Sequence, residues 1–156
     1  MTTTLRKIGK IPIIVTKQHQ MILKKYADFG NIDGTDISSD DPILMDLRKR
    51  AMACGYELVD DLSLYGEKCY TFSAGSAMPH DDLGMGLTAA VLVATRDLSP
   101  AFQDTVSYCT FFAEGQHQEI QIGDVFVFDA DKEHAWMANC RWLLAMQAIK
   151  LPEAAE

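Results

Sequence analysis

The stretch "MPHDDLGMGLTAAVLVA", residues 78–94, sets His80 and Asp82 one residue apart. On an extended chain, side chains i and i+2 point to the same face, so an imidazole and a carboxylate stand together on one wall. Two ligands hold a metal loosely, and a third has to arrive from elsewhere in the chain. Three other histidines are available. His19 belongs to an amphipathic helical pattern and is expected to be partly exposed, and His117, in "AEGQHQE", falls at a polar hairpin tip and is expected in solvent. His134 differs, because it follows the apolar run Val125 to Phe128 and the turn "DADKE" returns the chain beside that buried strand. Two histidines and one carboxylate leave open positions on one side of an octahedral iron, the facial triad of non-heme Fe(II) oxygenases. The plainer alternative is that His80 and His134 are unrelated polar-loop residues.

Other chemistries fit less well. "GMGLTA" matches the dinucleotide pattern Gly-x-Gly-x-x-Gly/Ala at Gly84, Gly86 and Ala89. That pattern works only where a strand precedes the first glycine and a helix follows, so that a pyrophosphate meets the helix N-terminus. Here "PHDD" precedes and a strand-like run follows, which makes the segment a turn. No residue stands in a nucleophile signature such as Gly-x-Ser-x-Gly, and the nearness of Cys140 to His134 in sequence says nothing about space. The acidic pairs Asp60–Asp61 and Asp81–Asp82 do not single out a glycosidase pair among so many surface acids. Arg48, Lys49 and Arg50 read as a solvated helix end rather than a phosphate site. Cys54, Cys69, Cys109 and Cys140 are far apart in apolar or aromatic surroundings, which reads as reduced core thiols without a zinc-type pair.

The elements that must position these residues change character along the chain. Thr16 is placed to cap a helix over "KQHQMILKKYADFG", with Met21, Ile22, Lys25, Tyr26 and Phe29 at helical spacings and Gly30 at its end. After the polar loop "NIDGTDISSD", a second helix is marked by Asp41 as N-cap, Pro42 at the first helical position and Gly55 past the end. Ile43, Leu44, Leu47, Ala51 and Cys54 give it one apolar face. From Tyr56 onward, short segments rich in valine, threonine and aromatic residues alternate with turns, the pattern of an antiparallel sandwich or barrel. The sequence therefore predicts a mainly β fold, with a helical N-terminal part (residues 1–55) packed on a β-barrel core (56–150). Along "RWLLAMQAI", Arg141, Leu143, Ala145 and Gln147 share one face, and Trp142, Leu144 and Met146 share the other. An arginine on a buried strand is costly unless its planar fork meets an anion.

At these positions the sequence resembles the Fe(II)/2-oxoglutarate-dependent dioxygenase superfamily, which shares a double-stranded β-helix (jelly-roll) core with the cupins. The family pattern is His-x-Asp, several strands, a second histidine, and an arginine on the last core strand. Here these are His80, Asp82, His134 and Arg141, and the piece Gly123 to Lys150 also resembles the second cupin motif. The resemblance implies a double-stranded β-helix, cupin-like barrel with two helices packed on it. It also implies Fe(II) held by His80, Asp82 and His134, and 2-oxoglutarate as cosubstrate with its distal carboxylate on Arg141. Asp129 or Glu133 would serve Arg141 equally well as a structural partner. Tyr70 either donates its hydroxyl to the same carboxylate or is a half-buried core tyrosine. The implied activity is hydroxylation of a small molecule or a peptide side chain. The alternative is a cupin-like metal- or small-ligand-binding protein without oxygenase turnover.

Composition bounds the rest. A chain of 156 residues, 48% apolar and 23% charged, has the size and make-up of one globular domain. A formal charge of −8 works against nonspecific nucleic-acid binding, which relies on lysine and arginine contacts to phosphate. No signal-peptide pattern opens the sequence and no apolar run reaches membrane-spanning length, so a cytoplasmic protein is expected.

Overall fold

The apolar runs "TAAVLVA", "VFVF" and "LLAMQAI" are too continuous for strands with one wet face, and the fold shows why. In the computed structural model, residues 5–14, 16–21, 32–35, 40–59, 70–74, 86–96, 109–138 and 141–152 are described. Of residues 32–35, 70–74, 94–96, 137–138 and 141–142, the backbone alone is described. The strands are β1 (Arg6–Lys10), β2 (Ile32–Thr35), β3 (Glu57–Leu58), β4 (Tyr70–Ala74), β5 (Leu87–Arg96), β6 (Cys109–Ala113), β7 (Gln116–Ile120), β8 (Asp124–Asp129), β9 (His134–Ala138) and β10 (Arg141–Lys150). The described part of helix α1 covers residues 17–21, and α2 is Pro42–Ala53.

Seven strands form one antiparallel sheet in the order β1-β8-β5-β10-β4-β2, with β3 pairing the end of β10. The other three form a second sheet, β7-β6-β9. Because side chains alternate, β5, β8 and β10 feed two separate cores. Ala89, Val91, Val93, Val125, Val127, Leu143, Ala145 and Ile149 pack on Ile43, Leu44, Leu47 and Ala51 of α2. Ala90, Leu92, Phe126, Phe128, Leu144 and Met146 pack on Cys109, Phe111, Ala113, Ile120 and Trp136 of the second sheet. The molecule is thus layered as helix, large sheet, small sheet. Each fully buried phenylalanine contributes about 1.5–3 kcal/mol through its burial, and Phe111, Phe126 and Phe128 fill the space between the sheets.

The second helix forms as its sequence predicts. Asp41 caps it by accepting from the Ile43 and Leu44 amides (2.9 and 3.2 Å), and Pro42 occupies the first turn. Other expectations need correction. The N-terminal part expected to be helical also supplies two further strands of the large sheet, β1 ahead of the first helix and β2 within the expected polar loop "NIDGTDISSD". Arg48 and Arg50 are not a solvated helix end. Arg48 Nε donates to buried Gln147 (2.9 Å) and Arg50 Nε to the Ile8 carbonyl (3.0 Å), so both tie α2 to the sheet, while Lys49 is exposed.

His19 is not partly exposed but fully buried. Thr16 and His19 form a reciprocal cap, with the His19 amide donating to Thr16 Oγ1 (3.2 Å) and the Thr16 amide donating to His19 Nδ1 (3.0 Å). Nδ1 is therefore an acceptor, and Nε2–H donates to Asp41 Oδ2 at 2.8 Å. One imidazole joins the starts of both helices. The physical reason is that histidine here takes the position usually held by glutamate or glutamine in such a cap, and its second nitrogen then needs a buried partner.

Gly123, with φ 91°, fixes the entry to β8: Ile11 N–H donates to its carbonyl, and its own N–H donates to Leu92 O, both at 2.9 Å. A Cβ there would lie 2.6 Å from the Ile11 carbonyl oxygen.

His19→Ala is expected to lower unfolding stability by about 2–4 kcal/mol. His19→Gln, which keeps an acceptor for Thr16 and a donor for Asp41, should cost about half of that or less. Gly123→Ala should cost about 2 kcal/mol or more. Denaturant midpoints of the three variants check these values.

Candidate functional site

The site is organised by two turns at one end of the layered sheets. In the β6–β7 hairpin, Ala113 pairs with Gln116, leaving Glu114 and Gly115 as a two-residue loop. Both have positive φ, 54° and 75°, as the right-handed twist of such hairpins demands. Glycine adopts this freely and glutamate does not. Lys132, from the β8–β9 turn, holds the Glu114 carboxylate at 3.0 Å. Hydrogen bonding and attraction to Glu114 raise the Lys132 pKa above the ordinary lysine value.

The β8–β9 turn is built on Asp129, whose side chain accepts from the Asp131 amide (3.0 Å) and whose carbonyl accepts from the Lys132 amide (3.1 Å). The turn also grips the start of β5. Gly86 N–H donates to Asp131 Oδ1 (3.0 Å), and the Ala130 amide donates to the Gly86 carbonyl (2.8 Å). Gly86, at φ 67°, is the second glycine of "GMG". The segment that follows it is a strand, as expected.

His134 opens β9 opposite Ala113 and is 1% exposed. Its ring lies among Phe111, Phe128 and Trp136, at centroid distances of 6.0, 5.0 and 5.4 Å. Nδ1 lies 2.8 Å from the Lys132 carbonyl oxygen. A carbonyl can only accept, so Nδ1 carries the proton and the lone pair is on Nε2. This is the usual way a protein orients a metal-ligating imidazole.

An open cleft of about 490 Å³ leads to His134, lined also by Phe112, Glu114, His117, Glu133 and Trp136. His117 is exposed, as its hairpin position predicts, and stands 5.8 Å from the Phe112 ring.

His80 and Asp82 lie outside the described residues. Among the described residues, no group of three His, Cys, Asp or Glu side chains converges as a metal site. Asp82 precedes Gly86 by four residues, a span of at most about 14 Å. Arg141 and Tyr70 are placed by their backbones alone. Arg141 pairs with Arg96 and Tyr70 with Gln147, six residues apart along β10. That backbone separation is about 20 Å. Arg141 opens β10 at the end of the sheet away from the Gly86–Asp131 contact.

The chain matches no protein-family model and no curated protein. None of the described helices is long and apolar enough to cross a membrane. Cys54 is half-buried and Cys109 is buried.

Neither the Glu114–Lys132 pair nor the Gly86–Asp131 contact is visible in the sequence, since both join residues from distant segments. The only local signal was the aspartate-rich turn "DADK", whose carboxylates were placed to bond backbone amides.

Because the folded-state pKa of Lys132 is raised, the pair adds stability below the ordinary lysine value, and this is lost as pH rises through the raised value. Lys132→Met should therefore be less stable than wild type at about pH 9, with the difference vanishing by about pH 12. Denaturation midpoints across that range check it.

Proposed function

We propose that the chain is an Fe(II)- and 2-oxoglutarate-dependent oxygenase on a double-stranded β-helix, with His80, Asp82 and His134 as the metal ligands. The β-helix reading is supported by the path of the chain, in which β8, β9 and β10 pass alternately between the large and the small sheet. The observation that carries the metal reading is the contact of Gly86 with Asp131, which brings the chain just after His80-x-Asp82 to the turn that presents His134. The tautomer of His134, proton on Nδ1 and lone pair on Nε2, fits a first-row metal ligand. Fe(II) with 2-oxoglutarate would supply the oxidising power to hydroxylate a C–H bond. The protein's own share is to hold the imidazole through the Lys132 carbonyl, to keep water from its aromatic surroundings, and to admit substrate through the cleft.

One observation favours a second reading, a cupin-like metal- or small-ligand-binding protein without oxygenase turnover. Leu143, Ala145 and Gln147 face α2, while Leu144 and Met146 face the second sheet. Arg141 opens β10 against Arg96, eight residues along β5 from the Thr88–Phe128 pair beside His134, a backbone distance of about 26 Å, so a carboxylate anchor for a metal at His134 would have to come from another residue.

Under anaerobic conditions, Fe(II) followed by 2-oxoglutarate should produce the visible metal-to-ligand charge-transfer absorption of a chelated complex. Iron binding without that absorption selects the second reading, and absence of iron binding defeats both. His134→Ala should abolish the absorption, whereas its persistence would remove His134 from the ligand set. Asp131→Ala should weaken Fe(II) affinity about tenfold with the fold retained, as loss of an outer partner does. Equilibrium dialysis and far-ultraviolet circular dichroism measure the two quantities.

A further inference from the structure

The register of β5 and β10 sets two arginines against each other. Arg141, at the start of β10, pairs with Arg96, at the end of β5. The pairing of β10 with β4 ends at Leu143, and that of β5 with β8 ends at Val91. Beyond those points the described sheet narrows to a two-stranded ribbon, Arg141 and Trp142 against Arg96 and Thr95, with no described strand on either flank. Opposite residues of an antiparallel pair share one face, with Cβ atoms about 5 Å apart, and like charges there oppose the pairing. An anion between the two residues would remove that cost.

Two acids of the large sheet's strands lie on this half of it, and neither is level with the arginines. Asp124 precedes Val125, the partner of Val91, and accepts from Lys7 and the Gln121 amide. Asp33 pairs with Ser73, at the level of Leu144. Asp97 lies outside the described residues. The overall charge of −8 opposes an anion at long range, but screening confines such effects to about 8 Å at physiological ionic strength, so the two charges at contact decide. Arginine suits oxyanions, because its planar fork makes two parallel N–H bonds. Two such residues on adjacent strands offer two positive charges to one group. That favours a phosphate monoester, close to a dianion with three acceptor oxygens, over a carboxylate or a phosphodiester with a single charge.

We propose that the Arg96–Arg141 ribbon is a separate binding site for a terminal phosphate group, a monoester dianion. The site lies about 26 Å along the backbone from the Thr88–Phe128 pair beside His134 and contains no proposed metal ligand.

The test is an NMR titration of the full chain at about pH 8, above the second phosphate pKa, without added metal, following the Arg96 and Arg141 Nε–H signals. Methyl phosphate should shift both signals saturably. Dimethyl phosphate, nearly the same size but singly charged, should bind about tenfold more weakly or worse. Arg96→Gln and Arg141→Gln should each weaken methyl phosphate binding about tenfold, and Arg96→Lys, which keeps the charge without the fork, should weaken it less. Lys49→Gln, which removes one exposed charge elsewhere, should leave it unchanged. A phosphoserine peptide run alongside separates a protein source of the group from a small-molecule one by which binds more tightly. Equal binding of dimethyl phosphate, an equal loss in Lys49→Gln, or no saturable shift at the two arginines, the result if Asp97 already neutralises them, would overturn the proposal. As no metal is present, such a failure leaves His80, Asp82 and His134 untouched, and failure of iron binding leaves the phosphate result untouched.

Discussion

Burial of the large sheet on both faces is the constraint on which everything else rests. Strands β5, β8 and β10 carry apolar residues at successive positions, so neither face tolerates water. One face is covered by α2 and the other by the small sheet. The small sheet cannot be extended far from the large one without exposing Phe126 and Phe128, and β9 therefore has to follow β8 closely. That requirement places His134 at the edge of an aromatic layer, where its ring is dry on most sides and held through one backbone carbonyl.

Several polar groups caught in this layering are paired. Gln147, buried on the α2 side, receives Arg48 and donates to the Val59 and Ala148 carbonyls. Asp124, at the start of β8, accepts from the Gln121 amide and from Lys7. Asp41 and His19 satisfy each other and four backbone or hydroxyl partners around them. Buried polar groups of this kind stabilise modestly when paired and cost more when a partner is lost. They also hold the helices in register with the sheet.

Much of this was legible in the sequence because it is written locally. Asp41, Pro42 and the apolar spacing that follows define α2, and short runs rich in valine, threonine and aromatic residues between turn residues mark most of the strands from β4 to β10. The burial of His134 follows from the strand before it. What was not legible depends on distant partners. "RKIGK" has no apolar alternation, and it becomes β1 because β8 offers it an edge. His19 looked like a surface residue because nothing near it in sequence announces Asp41 as its partner. The run of Arg48 to Arg50 looked like solvated charge because Gln147 and the Ile8 carbonyl lie far along the chain. At the site, spacing could suggest which residue types belong together, but the register of β10 was needed to show that the partners of Tyr70 and Arg96 stand six positions apart along it.

The contact of Gly86 with the β8–β9 turn has an entropic consequence. Asp82 and His134 are 52 positions apart in sequence, and gathering such a span around an ion from an open chain would oppose binding by several RT. Here the pairing of β5 with β8 closes nearly all of that loop during folding, and only four residues separate the closed loop from Asp82. On the metal reading proposed above, an ion would therefore meet a His134 turn and a β5 entry already joined by the sheet, and its affinity would be set by the ligands themselves and by the short stretch of chain before Gly86.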